Sequence, residues 1–150
     1  MKNLFLFFAH CFVLQFFSGN LIALTKRAET VQQNLLDGTS WHVDGVPFQD
    51  KSREKYTLSE YDALEFGNWG HTITFEEKTF SSHYSAPCGT DCFTSVYGEY
   101  YFAEQYKIKV KVTQIHRSGF CDQKSEELNQ DMGYYLLKKI DNGWELTRAD

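Results

Sequence analysis

The clearest pattern in the sequence is a two-residue alternation of apolar and charged side chains between Val96 and Val112. A period of two places the two sets on opposite faces of a β-strand. Residues 103–105 interrupt the alternation, so we interpret the segment as a β-hairpin with its turn there. One apolar face requires a second layer, or closure of the sheet on itself, to cover it. The apolar positions are Tyr100, Phe102, Tyr106, Ile108, Val110 and Val112, and the charged ones are Glu99, Lys107, Lys109 and Lys111.

Two more hairpins are predicted by the same pattern. Apolar and polar residues alternate in segments 71–75 and 79–84, which lie on either side of Glu76, Glu77 and Lys78. Segments 134–140 and 144–148 flank Asp141-Asn142-Gly143, and Asn-Gly between strands is the strongest short-range hairpin signal.

These hairpins, a first strand over 41–46 and a strand near Phe93 give seven or eight antiparallel strands in meander order. The fold class that this predicts is mainly β, either a small antiparallel meander barrel or a strongly curved sheet. Closure into a barrel would remove the exposed strand edges.

Helical signals are few. Alternation disappears between Pro47 and Gly70, and Thr57 with Glu60 three residues later forms a capping-box pattern. We therefore predict a short helix over 58–66 that covers one end of the barrel. A second helical turn is predicted at 125–130.

The first residues have the layout of a secretory signal peptide, with Lys2, an apolar run of about 14 residues and then small and polar residues. The run is shorter than the roughly 18 to 20 residues of a membrane span, so no stable span is expected. We predict a signal peptide over 1–20, a flexible lead-in over 21–34, a single domain over 35–150, and a periplasmic or secreted location. Lipidation at Cys11 is the alternative, but the bulky His10 before it argues against this.

Export leaves Cys88, Cys92 and Cys121 in an oxidising compartment. We predict that Cys121 forms a disulfide with Cys88 or Cys92, because a long loop gains more from closure than the short loop between Cys88 and Cys92. A bridge between those two is the alternative. A metal site built from these thiols with His83 or His116 lacks the usual ligand spacing, so no metal is predicted.

The net charge and the absence of known catalytic motifs exclude several classes of function from the prediction. The net charge of −5 disfavours nucleic acid as a partner. No motif for a catalytic nucleophile, a metalloprotease or a phosphate-binding loop occurs, so neither enzymatic activity nor a cofactor is expected. The enzyme alternative is a hydrolase assembled from His71, His83 and Glu99, in which the two histidines lie near opposite positions of one hairpin.

Several short motifs follow one another in a recognisable order: Gly38 to Trp41, Ile73 to Phe75, Cys88 before Tyr97 to Tyr100, Cys121, and Gly143 to Leu146. This order resembles the META and lipocalin-like small domains of bacterial envelope proteins. That resemblance implies a small calycin-like β-barrel, an envelope location and a non-enzymatic role.

Two non-enzymatic functions are compatible with such a barrel. The first, which we favour from the sequence, is binding of a small apolar ligand in a cavity at one barrel mouth. The second is binding of a protein partner, as an inhibitor or assembly factor, through the aromatic-rich loops 84–93 and 66–70. The residues predicted to line the ligand cavity are Trp41, Tyr61, Phe75, Tyr100, Phe102 and Tyr106.

Overall fold

The computed structural model describes residues 34–61 and 69–149. These residues form a closed barrel of eight antiparallel strands and contain no helix, so the predicted antiparallel β-barrel is confirmed. The strands are β1 (Thr39–Val43), β2 (Lys55–Glu60), β3 (Gly70–Glu76), β4 (Thr79–Ser85), β5 (Cys92–Glu104), β6 (Lys107–Gly119), β7 (Glu126–Ile140) and β8 (Gly143–Ala149).

The strand order departs from a simple meander at one place. From β3 to β8 each strand pairs with the next, as predicted, but β1 lies between β2 and β3. Trp41 of β1 pairs with Glu60 of β2 on one side and with Ile73 of β3 on the other. Strand β2 closes the barrel against β8, so each of the eight strands is paired along both edges.

The predicted helix over 58–66 is wrong where the structure describes it, because its first residues belong to β2. Tyr56 and Leu58 are fully buried while the residues between and after them are more exposed, which is strand alternation. Thr57 does not cap a helix, since its N–H donates to Asp44 Oδ1 at 3.0 Å. Residues 62–68 lie outside the described chain. The predicted helical turn at 125–130 is also wrong, because β7 begins at Glu126.

The predicted central hairpin corresponds to β5 and β6, with a shorter turn than expected. Its two-residue turn is Gln105 and Tyr106, so Tyr106 is 48 % exposed and does not face the core. The other apolar positions face the barrel interior: Tyr100, Ile108, Val110 and Val112 are buried, and Phe102 is partly buried. The period-two interpretation therefore holds on both sides of the turn.

The two ends of the barrel differ. We call the end formed by the tight turns 77–78, 105–106 and 141–142 the hairpin end. The opposite end carries the longer connections 44–54, 86–91 and 120–125, and we call it the loop end.

Gly143 at the start of β8 is a position where the fold requires glycine. A Cβ there would lie 1.9 Å from the carbonyl oxygen of Leu58, and the backbone has a φ of +147°. Gly143→Ala would push β2 away from β8, the two strands whose pairing closes the barrel. We expect the free energy of unfolding to fall by about 1 to 3 kcal/mol, measured by urea denaturation. Gly89→Ala is the control, because a Cβ at Gly89 meets nothing within 4 Å. Equal stability of the two variants would contradict this explanation.

Candidate functional site

Three of the predicted ligand-binding residues lie together in the barrel core. The rings of Phe75 and Tyr100 are 5.1 Å apart, and their exposed fractions are 0 % and 1 %. Phe102 packs beside them, with its ring 6.3 Å from that of Tyr100. These side chains fill space between strands instead of lining an open mouth.

The other three lie in separate places. Trp41 is at the hairpin end, where the Lys139 ammonium lies 6.0 Å from its ring and 4.9 Å from that of Trp144. The Tyr61 ring contacts His42 at 4.9 Å, on the outer side of β1. Tyr106 is in the exposed β5–β6 turn. The structure does not gather the six residues around one cavity.

The centre of the barrel is occupied by Phe48, which comes from the 44–54 connection. Its ring lies 5.1 Å from Tyr56, 5.1 Å from Phe80 and 5.2 Å from Tyr135, so it touches three different strands. Only 1 % of Phe48 is exposed. Sequence reasoning missed this residue because it lies outside any alternating segment.

The 44–54 connection is held against the barrel mouth by a small set of polar contacts. The Arg53 guanidinium pairs with Asp44 at 2.7 Å and lies over the Tyr56 ring at 4.6 Å. Arg148 donates from its side chain to the Lys51 carbonyl. Phe48 itself has a φ of +55°, which is rare for a large side chain.

Polar atoms are buried around the aromatic centre. Ser82 Oγ and Tyr135 Oη are buried and make no hydrogen bond in the described part of the chain. Tyr56 Oη accepts a hydrogen bond from the Phe48 N–H at 3.0 Å. Burial raises the pKa of Tyr135 to about 12, and it also raises the pKa of Tyr56. The interior therefore combines aromatic rings with hydroxyl groups that remain neutral at ordinary pH.

The two buried phenols should respond oppositely to loss of their hydroxyl groups. Tyr135→Phe removes a hydroxyl without a partner, so we expect the free energy of unfolding to stay unchanged or rise by up to about 1 kcal/mol. Tyr56→Phe leaves the buried Phe48 N–H without an acceptor, so a loss of about 1 to 2 kcal/mol is expected. Urea denaturation of the two variants measures both. A larger loss in Tyr135→Phe than in Tyr56→Phe would contradict the hydrogen-bond assignment.

The residues of the hydrolase alternative do not converge. His71 is on the interior side of β3, where burial, aided by Arg53, lowers its pKa. His83 faces outwards from β4 and contacts Ser95 Oγ at 3.0 Å. Glu99 is also on the outer wall, 3.6 Å from the Lys111 ammonium. The two histidines lie at adjacent register positions but on opposite faces of the sheet.

The predicted disulfide of Cys121 is confirmed, with Cys92 as the partner. It joins the start of β5 to the connection after β6, and the Phe120 N–H donates to the Asp91 carbonyl at 3.1 Å beside it. Cys88 has a free, exposed thiol, and hydrogen bonding to Thr90 lowers its pKa. The disulfide thus fixes two of the three connections of the loop end.

The loop end also exposes large apolar side chains. Phe120 is 75 % exposed and Trp69, just before β3, is 50 % exposed. Tyr84 and Phe93 from the predicted aromatic loops are partly buried, with rings 5.9 Å apart. Phe120 was not among the residues singled out from the sequence, because the polar segment around it hides a single aromatic.

Shallow grooves lie on the outer wall of the barrel. One of about 280 Å³ runs over β3 to β6 between Glu76 and Tyr97, and one of about 350 Å³ lies near Tyr101 on β5 to β7. In the second, the 2.9 Å contact between Lys109 and Asp131 raises the pKa of the lysine and lowers that of the carboxyl. Neither groove contains a residue of the predicted ligand set.

Residues 34–61 and 69–149 contain no group of three or more His, Cys, Asp or Glu side chains that could hold a metal ion. In the same described ranges, no helix has the length and apolar character needed to cross a membrane.

Comparisons with protein-family models, with curated proteins and with solved structures give no match for this chain. The likeness to META and lipocalin-like domains therefore stays a prediction. What the structure defines is a class of architecture, a closed eight-stranded antiparallel barrel with a filled interior and a disulfide at one end.

Proposed function

We propose that this chain is an exported, non-enzymatic β-barrel domain that binds another protein through its loop end. The observation that carries the proposal is the exposure of Phe120, at 75 %, beside the Cys92–Cys121 disulfide. Large apolar side chains exposed on a protein surface are typical of interaction sites.

Export is supported by the signal-peptide pattern of residues 1–20 and by the disulfide, which persists in oxidising compartments. A non-enzymatic role is supported by the separation of His71, His83 and Glu99 onto different faces and strands. Catalysis by general acids and bases needs such groups within hydrogen-bond reach of one reacting centre.

The choice of a protein partner over an apolar ligand rests on how the barrel is filled. Phe48 occupies the centre, so the apolar surface that the resting barrel offers to another molecule is on its outside. The disulfide holds the Phe120 connection in place before binding, which lowers the entropy cost of association. Trp69 at the same end supplies a second large anchor.

Site-specific photo-crosslinking tests the proposal. A photoreactive phenylalanine analogue replaces Phe120 in the exported protein, and adducts formed in the native extracellular or periplasmic material are identified. The matched control carries the analogue at Tyr106, which is 48 % exposed at the hairpin end. We expect a discrete protein adduct from position 120 that is absent from position 106 and is lost when Trp69→Ser is added.

Two outcomes would contradict it. Equal adducts from both positions would indicate non-specific contact, and no adduct from position 120 would leave the exposed surface without a partner. Titration of the three tryptophans with fatty acids is the complementary measurement. A saturable fluorescence change there would favour the apolar-ligand function.

A further inference from the structure

Phe48 is a core residue supplied by a connection between strands. Most buried apolar side chains of the barrel come from the strands, where backbone pairing on both sides fixes them. The 44–54 connection is not paired along both edges, although its Glu54 carbonyl accepts from the Arg148 N–H at 2.7 Å, and Phe48 adopts the left-handed φ of +55° within it. Strained backbone at a buried position costs free energy, and connections of this kind open more readily than paired strands.

The side chains around the Phe48 ring include polar groups with which a phenylalanine cannot form hydrogen bonds. The Phe48 ring packs on the rings of Tyr56, Phe80 and Tyr135, but two hydroxyls of the same interior lack partners in the described residues. They are Tyr135 Oη, on one of those rings, and Ser82 Oγ, on the same buried face of β4 as Phe80. Ser82 is 1 % exposed and Tyr135 is 0 % exposed. Native interiors rarely leave buried hydroxyls without a hydrogen bond.

A third hydroxyl depends on Phe48 itself. Tyr56 Oη is bonded to the backbone N–H of Phe48, so this oxygen would lose its partner if the connection moved outwards. The vacated space would then be bordered by three aromatic rings, two of which carry hydroxyls, with the Ser82 hydroxyl on the same face of β4 as the third ring. An aromatic ring that carries hydroxyl groups would satisfy both features, whereas a purely apolar compound would satisfy only the rings.

We infer that the barrel interior is a binding site for a small neutral phenolic compound, and that Phe48 occupies this site as a removable plug. A neutral ligand fits because the hydroxyls around Phe48 are themselves neutral: burial raises the pKa of Tyr56 and Tyr135, and the Ser82 hydroxyl does not ionise at ordinary pH. The Arg53 guanidinium over the Tyr56 ring is already paired with Asp44, so it does not need an anionic ligand. The site lies inside the barrel, whereas Phe120 and Trp69 of the proposed protein-binding surface are exposed on its outside, so either proposal can fail alone.

Asp44 and Arg53 form the latch that keeps the plug in place. They pair with each other at 2.7 Å, Asp44 Oδ1 accepts from the Thr57 N–H, and Arg53 covers the Tyr56 ring. A ligand must compete with the closed connection, so its apparent affinity depends on the population of the open state. Weakening the latch should therefore tighten binding, because it raises the population of the open state.

Calorimetric titration with para-cresol and with toluene tests the site. Toluene is the Phe48 side chain as a free molecule, and para-cresol adds one hydroxyl. We expect saturable binding of para-cresol to the wild-type chain, with about tenfold higher affinity in Arg53→Gln. Lys55→Gln is the control, because it removes the side-chain ion pair with Glu145 and keeps the Lys55 backbone carbonyl that accepts a hydrogen bond from Arg53 Nε at 3.0 Å. Toluene should bind about tenfold more weakly, because it leaves the hydroxyls unpaired.

Hydrogen exchange tests the displacement of the plug. With para-cresol bound, the amides of 44–54 should exchange faster, since the connection is held out of the barrel. Binding on the outer surface would leave their exchange unchanged or slow it.

Absence of saturable para-cresol binding to the folded Arg53→Gln variant would overturn the inference. A second test avoids the latch: Phe48→Ala creates the space directly. Equal or tighter binding of toluene than of para-cresol to that variant would show that the interior is a purely apolar core, and it would also overturn the inference.

Discussion

Phe48→Ala is expected to lower the free energy of unfolding by about 3 to 5 kcal/mol, the range for removing a fully buried phenylalanine. The ring contacts Tyr56, Phe80 and Tyr135 from three strands, so its loss leaves a cavity that no single side chain can fill. Urea denaturation followed by far-ultraviolet circular dichroism measures the change.

Two further variants separate the loss of core packing from the loss of an exposed ring and from backbone strain. Phe120→Ala removes an equal side chain from a 75 % exposed position and should change stability by no more than about 0.5 kcal/mol. Phe48→Gly removes the same ring but relieves the φ of +55°, so it should be about 1 kcal/mol less destabilised than Phe48→Ala. A loss below about 1 kcal/mol in Phe48→Ala would show that Phe48 does not fill the core.

The strands that alternate cleanly were predictable from the sequence because one face of each is buried. Burial of Ile108, Val110 and Val112 follows from their period of two, and the turns after Glu76 and Ile140 lie at the predicted polar interruptions. In these segments the local sequence pattern and the tertiary packing favour the same strands, so the pattern alone was enough to predict them.

Strand β2 was missed because two local signals conflict over six residues. Thr57 and Glu60 have the spacing of a capping box, but Tyr56 and Leu58 also alternate with polar neighbours. The conflict is decided by partners distant in sequence, since Leu58 pairs with Val43 and with Trp144. Tertiary pairing of this kind overrides local propensity, and a sequence read locally cannot reveal it.

The candidate sites were less predictable than the fold. Aromatic residues on alternating segments were expected to line a cavity, but in a closed small barrel the inward side chains fill the interior. Phe48 and Phe120 lie in polar connections, where one aromatic residue gives no periodic signal. Phe48 is buried in the core and Phe120 is exposed at the loop end, and this difference depends on how each connection folds.

Loss of the Cys92–Cys121 disulfide is the second large effect that we expect. The bridge joins residues 29 positions apart, and the chain-entropy model then gives a stabilisation of about 3 to 4 kcal/mol through restriction of the unfolded chain. The double variant Cys92→Ala with Cys121→Ala should therefore unfold at a much lower urea concentration than the oxidised wild-type chain.

Cys88→Ala is the matched control for this prediction. Its thiol is exposed and unbonded to another cysteine, so the variant should keep the wild-type unfolding curve to within about 0.5 kcal/mol. Reduction of the wild-type chain should reproduce the double variant, and reduction of the double variant should change nothing further. Peptide mapping without reduction gives the covalent check, because it should join Cys92 to Cys121 and leave Cys88 open to alkylation. A joined Cys88–Cys92 peptide with an alkylated Cys121 would contradict the pairing, since a bridge across so short a loop could not restrain the β6–β7 connection.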